Sequence, residues 1–209
     1  MDSRSPTMQF SEAAEQIVQA GQWLAARGWA PATAGNYSVR LDDSRIAITV
    51  SGRHKGRLTV ADVMLVDYEG RAVDERHPSA ETPLHVLMYR TVPTVGAVVH
   101  THSIQSTVLG VTEPQRGHVQ LEGYEMLKAF PGIGSHEAAI SVPIFDNTQD
   151  MSALAQRVAE RLRNDACYGY VIRGHGLYTW GPSMQEALRS VEALEFLFAC
   201  EAERRRLPS

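Results

Sequence analysis

The order of predicted helices and strands points to an α/β fold, in which a largely antiparallel sheet is covered by helices. Helices and hairpin-like strand pairs alternate irregularly, without the regular strand-helix-strand rhythm of a doubly wound parallel sheet. The 209 residues are 44% hydrophobic, which is enough for one sizeable core, and no linker-like segment interrupts them. We therefore expect one domain over residues 1–209.

The first half of the chain predicts a helix followed by a strand meander. Apolar residues recur at helical spacing over Ser11–Arg27, and Gly28 is a natural helix stop. The runs GNYSVRL (35–41) and RIAITVSG (45–52) have strand character and are separated by turn-forming residues, which predicts a hairpin. MLVDYEGRAV (64–73) predicts a further strand, a turn and a strand.

The second half alternates predicted helices with buried strands. Thr82 is predicted to cap a helix whose first residue is Pro83, Ser103 is a candidate helix cap, and Ser183 with Glu186 resembles a capping box. The remaining predicted elements are, in chain order, the strand GAVVHTH (96–102), the helix EGYEMLKAF (122–130), the strand SHEAAISVPIF (135–145), the amphipathic helix 151–164, two strands within YGYVIRGHGLYTW (168–180), and a long helix to about Arg206.

Composition argues against several classes of partner. The formal net charge is -4, whereas a nucleic-acid partner calls for a basic face. No apolar run approaches the ~20 residues that span a bilayer, so we expect no membrane partner and a cytoplasmic protein. Cys167 and Cys200 lack metal or redox spacing and are expected to be free thiols.

Two histidines stand two residues apart at the end of a predicted buried strand. In a strand, residues i and i+2 share one face, so His100 and His102 project together. A third nitrogen ligand is expected from His175, which lies between two glycines after the apolar strand Tyr170–Ile172, predicted to dock beside the first strand.

Three histidines leave a coordination position open, as in catalytic zinc sites, although iron, cobalt or nickel also suit imidazole ligands. The other histidines lack such spacing and are expected to be surface or hydrogen-bonded residues; they are His54, His77, His85, His118 and His136.

The order of the motifs GNYS, VSG, PSAE, HTHS and GHG resembles the class II aldolase/epimerase (adducin-like) family of zinc enzymes that act on sugar phosphates. The resemblance covers nearly the whole chain. It implies a three-layer αβα fold with one Zn²⁺ per chain on His100, His102 and His175. It also implies a homotetramer with sites at subunit interfaces.

The runs EGYEMLKAF, PIFDNTQDMSAL and RGHGLYTWG resemble the dehydratase branch of this family, which removes water from 5-methylthioribulose 1-phosphate in methionine salvage. In that branch a glutamate before a methionine is the general acid/base, and the matching residue is Glu125. Glu81 matches the catalytic glutamate of the aldolases, and we expect it to play a supporting role near the metal.

The resemblance also implies a phosphate site formed by small residues and hydrogen-bond donors, which are Gly35, Asn36, Ser51, Gly52 and Ser79, with Lys55 as an added charge. The expected substrate is thus a small phosphorylated sugar. Three alternatives remain open: an aldolase or 4-epimerase of the same family, a non-catalytic adducin-type interaction domain, and a metal-independent enzyme.

Overall fold

The computed structural model describes residues 8–113, 117–164 and 167–207. Its helices are α1 (Phe10–Ala26), α2 (Thr82–Thr91), α3 (Ile104–Thr112), α4 (Met151–Asn164) and α5 (Met184–Arg204). Its strands are β1 (Asn36–Arg40), β2 (Arg45–Thr49), β3 (Val63–Asp67), β4 (Ala97–Thr101), β5 (His118–Glu122), β6 (Ala139–Phe145), β7 (Gly169–Ile172) and β8 (Gly176–Gly181).

The strands form one sheet in the order β3-β2-β1-β4-β8-β7-β6-β5. Among the described strands, β6 and β7 are parallel neighbours, and every other neighbouring pair is antiparallel. The predicted, mostly antiparallel sheet is therefore confirmed. The predicted docking of the Tyr170–Ile172 strand beside the His100 strand is wrong, because β8 lies between them and pairs with both.

Helices cover both faces of the sheet. Side chains point alternately to the two faces along each strand, so both faces carry apolar residues that need covering. On β4, Val99 joins the core beneath α1 and α5, whereas Val98 joins the core beneath α2 and α4. Both valines are fully buried, and each such burial stabilises the fold by roughly 1.5–3 kcal/mol. This is the three-layer αβα arrangement that the family resemblance implies.

Three local expectations need correction. The run after Gly70 makes a single bridge between Val66 and Ala72 instead of a second strand. Thr82 is not the cap of α2 but its first residue, and Glu81, which precedes it, makes no capping hydrogen bond with its side chain. The predicted helix around Glu125 is a 3-10 helix, Glu125–Ala129, which is followed closely by Pro131.

The position of β4 at the centre of the sheet fixes where the histidines project. β1 pairs with one of its edges, and Asn36 lies opposite His100 in that register. β4 ends at Thr101, and Ser103 then caps α3 by accepting a hydrogen bond from the Ser106 amide, as predicted. None of the described helices is both long enough and apolar enough to cross a membrane.

Candidate active site

His100 and His102 project from the end of β4 to the same side, as strand alternation requires. His100 is fully buried within the strand, and His102 follows the strand directly. Their ring centroids are 4.6 Å apart. The His102 amide donates to the Trp29 carbonyl at 2.8 Å, which holds the chain in place where it leaves the sheet.

His175 reaches the same point from the turn between β7 and β8. Its ring lies 5.0 Å from that of His100 and 4.6 Å from that of His102. A Cβ on Gly176 would lie 2.0 Å from the Thr101 carbonyl oxygen, so the turn approaches β4 too closely for any side chain there. Gly174 has φ +63°, a conformation that glycine adopts without strain.

The three imidazoles are arranged as metal ligands. One nitrogen of each histidine lies within 4.8 Å of the corresponding nitrogens of the other two, and the Nε2 atoms of His100 and His175 are 3.3 Å apart. His100 Nδ1 lies 3.0 Å from the Leu177 carbonyl, to which it must donate, so the free lone pair of His100 is on Nε2. Converging lone pairs suit a cation, and these residues fit one.

Burial favours the neutral form of the imidazole rings, which is the form that can bind a metal. It lowers the pKa of His100 well below its ordinary value, although the Glu81 carboxylate opposes that shift. It also lowers the pKa of His102 to about 4, and nearby His175 adds to the effect. Both rings are therefore neutral near pH 7, ready to offer nitrogen to a metal.

Glu81 is the carboxylate of this cluster. Its Oε1 lies 3.1 Å from His175 Nε2 and 3.5 Å from His100 Nε2, and its Oε2 accepts a 2.6 Å hydrogen bond from Asn36 Nδ2. Burial raises the pKa of Glu81, but the interactions with His100 and His175 and the Asn36 hydrogen bond outweigh it and lower that pKa. A bound cation would favour the ionised carboxylate in the same way.

A cavity of about 380 Å³ opens beside these groups. His102, His175 and Glu81 line it, and so do all the residues predicted for phosphate binding, which are Gly35, Asn36, Ser51, Gly52, Lys55 and Ser79. The structure thus gathers into one cavity residues that are scattered along the sequence from 35 to 175.

Lys55 is the cation of this cavity. Its Nζ donates to the carbonyls of Thr33 and Arg53 at 2.8 and 2.7 Å. Burial lowers the pKa of Lys55 to about 8, although the Glu81 carboxylate favours the charged form. Near pH 7 the ammonium is therefore mostly protonated, and its third N–H remains available to an anion.

One wall of the cavity, which the sequence did not predict, consists of Asn147, Gln149 and Met151. Asn147 and Gln149 lie in the loop before α4, and Met151 is the first residue of that helix. These residues lie in the PIFDNTQDMSAL run that carried part of the family resemblance, but their spacing holds no chemical signal of its own. Two amides and a thioether beside the three histidines offer polar and apolar contacts to a bound molecule.

Glu125 lies outside this cavity in its own chain. Its side chain is 69% exposed, pairs with Lys128 and lies 3.9 Å from His136 Nδ1. The Lys128 hydrogen bond lowers the pKa of Glu125. Glu125 lines a second cavity of about 770 Å³, which is walled largely by apolar side chains such as Tyr124, Met126 and Phe196.

The remaining histidines lie apart from the cluster. His54, His77 and His136 are exposed and His118 is half-buried, whereas His85 is fully buried and hydrogen-bonded to two side chains. These positions agree with the expectation that they are surface or hydrogen-bonded residues.

Comparison with known proteins agrees with this geometry. The sequence model of the class II aldolase and adducin N-terminal domain matches residues 15–202. The chain belongs to this family. It is 53% identical over 202 residues to a methylthioribulose-1-phosphate dehydratase of Hahella chejuensis, covering 96% of this chain and 97% of that protein. It is 52% identical over 200 residues to the Marinobacter nauticus protein of the same name, covering 95% and 96%.

Solved structures of the family share the fold. The L-fuculose-1-phosphate aldolase of Thermus thermophilus has a TM-score of 0.75 and 27% identity, covering 94% of this chain and 97% of that one. YgbL of Escherichia coli has a TM-score of 0.79 and 25% identity, covering 91% and 88%. The family therefore includes sugar-phosphate aldolases at lower identity and dehydratases at about twice that identity.

Proposed function

We propose that this protein is a zinc-dependent dehydratase that converts 5-methylthioribulose 1-phosphate to 5-methylthio-2,3-dioxopentyl phosphate and water in methionine salvage. The observation that carries the proposal is the cavity in which His100, His102 and His175 converge beside Glu81 and the predicted phosphate-binding residues. The names of relatives that are more than 50% identical select the dehydratase within the family.

The phosphate would bind to the part of the cavity lining that Ser51, Gly52, Ser79 and Lys55 supply. Small residues leave backbone N–H groups accessible, hydroxyls donate to phosphate oxygens, and the Lys55 ammonium supplies charge. Asn36 uses one hydrogen of its amide nitrogen on Glu81, and the second can serve the phosphate.

The three histidines would hold one Zn²⁺ per chain. When bound, such an ion acts as a Lewis acid on the C2 carbonyl and makes the proton on C3 more acidic. The residues of the chain then supply binding, orientation and proton transfer. Glu81, ionised and held by Asn36, has the supporting role beside the metal site.

We assign the proton transfer to Glu125. A base removes the C3 proton, and the C4 hydroxyl accepts a proton and leaves as water. The resulting enol becomes the 2,3-diketone by tautomerisation. Acid/base help of this kind contributes typically ~10²–10⁴-fold. Because Glu125 lines a different cavity of its own chain, this assignment requires an oligomer, such as the homotetramer that the family resemblance implies, in which a neighbouring chain brings Glu125 to the histidine cavity.

One observation favours a second candidate. Glu81 lies beside the histidines at the position where aldolases of the family carry their catalytic glutamate. An aldolase would bind the same phosphate but cleave the C3–C4 bond of the sugar.

Product analysis separates the two. The metal-loaded protein is incubated with 5-methylthioribulose 1-phosphate, and the products are identified by NMR and mass spectrometry. We expect loss of one water with the carbon chain intact, and no reaction after the metal is removed. Dihydroxyacetone phosphate and a methylthio aldehyde as main products would overturn the proposal in favour of the aldolase.

A further inference from the structure

A chain of hydrogen bonds runs from the histidine cavity into the core beneath it. Glu81 Oε2 accepts from Asn36 Nδ2 at 2.6 Å, and Asn36 Oδ1 pairs with His85 Nε2. His85 Nδ1 is 2.7 Å from Ser38 Oγ, which is 2.8 Å from the Tyr89 hydroxyl. Four of these five residues are at most 4% exposed, so water does not compete for their bonds.

The donor of every hydrogen bond in this series follows from its Glu81 end. Ionised Glu81 can only accept, so Asn36 presents its NH₂ group to it and turns its carbonyl oxygen to His85. His85 must then donate from Nε2, which leaves Nδ1 as an acceptor. Ser38 therefore donates to Nδ1, and Tyr89 donates to Ser38.

The opposite tautomer would break this order. With its proton on Nδ1, His85 would present a lone pair to Asn36, and the amide would have to turn its NH₂ group toward the ring. The amide oxygen would then face the Glu81 carboxylate, so that two acceptors would meet without a proton between them. The protonation of one buried ring thus decides whether Glu81 is held or repelled.

His85 is kept neutral by its surroundings. Burial lowers its pKa to about 4, although the Glu81 carboxylate opposes that shift. The ring is fully buried, and the Tyr178 ring stands edge-on to it with the two centroids 5.7 Å apart. A neutral ring with one donor and one acceptor matches its two partners.

We propose that His85 is a positioning residue for Glu81: its Nε2–H orients the Asn36 amide, which holds Glu81 Oε2 and keeps Oε1 turned to His100 and His175. The catalytic part of this inference rests on the proposed function, whereas the hydrogen-bond order does not.

The first test reads the tautomer without any reaction. The ¹⁵N spectrum of histidine-labelled, metal-free protein reports which nitrogen of His85 carries the proton, and H85Q identifies its signals. We expect the Nε2–H form between about pH 5.5 and 8. An Nδ1–H form, or a doubly protonated ring near pH 7, would overturn the proposal whatever the enzyme does.

The second test is a double-mutant cycle on the metal-loaded enzyme. His85→Phe fills the site but removes the donor, and we expect kcat to fall ~10- to 100-fold with KM within about 2-fold and metal content unchanged. In an E81Q background the same change should add less than about 2-fold, because its effect passes through Glu81. Equal losses in both backgrounds would show a merely structural role and overturn the proposal.

Two further variants guard against misfolding. His85→Gln retains an amide donor near the position of Nε2 and should recover most of the lost kcat. Tyr89→Phe removes only the donor farthest from Glu81 and should keep kcat within about 2-fold. If H85Q were as impaired as H85F, or if Y89F lost as much as either, the orienting role would be wrong. If no dehydration occurs with the proposed substrate but the tautomer is as expected, the proposed function fails and the positioning of Glu81 stands.

Discussion

The two carboxylates proposed for chemistry lie in contrasting surroundings. Glu81 is largely buried, held by Asn36 and turned toward two histidine nitrogens, in a cavity lined by polar groups. Glu125 is exposed, paired with Lys128, and lines a larger and mostly apolar cavity. A single chain therefore gathers the three histidines and the proposed phosphate-binding residues around one cavity, but it displays its second proposed acid/base residue elsewhere. If Glu125 is the working base, as we propose, the active site must combine residues of more than one chain.

The largest effect is expected at the three histidines that we propose as metal ligands. His100→Ala, His102→Ala or His175→Ala removes one of three nitrogens and should lower metal affinity by at least ~10²-fold and abolish activity. Elemental analysis measures the metal content of each variant, and steady-state kinetics measure its turnover. The control is H77A, which changes an exposed histidine outside the cluster and should alter neither quantity. Full activity of a ligand variant after thorough removal of metal would contradict the account.

The next largest effect is expected at the two carboxylates, and comparing their variants shows which of them matters more for kcat. Glu125→Gln should retain metal and fold but lower kcat by ~10²-fold or more, because an amide cannot accept the C3 proton. Glu81→Gln should lower kcat less. Steady-state kinetics of both variants, at equal metal content, decide the order. If E81Q is the more impaired, Glu81 is the working base, as in the aldolase alternative.

Phosphate binding should show a smaller effect. Ser51→Ala and Ser79→Ala each remove a donor to a charged group, worth ~1.5–3 kcal/mol, so KM should rise roughly 10- to 150-fold. Inorganic phosphate should inhibit competitively, and more weakly in both variants. Ser152→Ala, on the exposed side of α4, is the control. Unchanged KM in both S51A and S79A would show that the phosphate does not bind to these two residues.

The smallest effect is expected on the free energy of unfolding. It concerns a buried carboxyl that packs against β4 on the face away from His100. Glu195 is buried, Thr101 donates to its Oε1 at 3.4 Å, and burial raises its pKa to about 7. Arg27 and Glu192, which line the same cavity as Glu195, lie 4.0 Å apart and so compensate each other's charge.

A raised carboxyl pKa means that the folded state binds the proton more tightly than the unfolded state. This contribution is fully present below about pH 4.5 and is lost as pH rises through about 7. Glu195→Gln should therefore stabilise the protein by on the order of 2 kcal/mol at pH 8.5 and change little at pH 4.5. Urea denaturation at both pH values measures it, and equal stability of the two proteins at pH 8.5 would contradict the buried neutral carboxyl.

The sequence predicted the parts of the site that follow local rules. Strand alternation is local, so the shared face of His100 and His102 was predictable, and the glycines beside His175 marked a close approach of two chain segments. Strand β5 was not predicted, and the neighbour of β4 was predicted wrongly, because strand order depends on long-range packing. The cavity wall at Asn147 and Gln149 was missed for the same reason.

The bonds of His85 also lay beyond sequence reasoning. It was grouped with the histidines without metal spacing, and only the folded chain brings it between Ser38 and Asn36, which are 47 and 49 residues away. Family resemblance supplied Glu125 and Glu81 as candidates, but it could not say that one chain would hold them in separate cavities.

The most direct test of the account asks whether the histidine cavity and Glu125 form one active site from two chains. H102A and E125Q chains carrying different tags are expressed together, and the mixed oligomers are purified. Each parent should be nearly inactive, but in a mixture about one quarter of the sites should combine an intact cavity with an intact Glu125. Mixed H102A and H175A chains are the control, and they should stay inactive because both changes affect the same cavity. Recovery of roughly a quarter of wild-type activity in the first mixture alone is the predicted result, and a mixture as inactive as its parents would contradict the account.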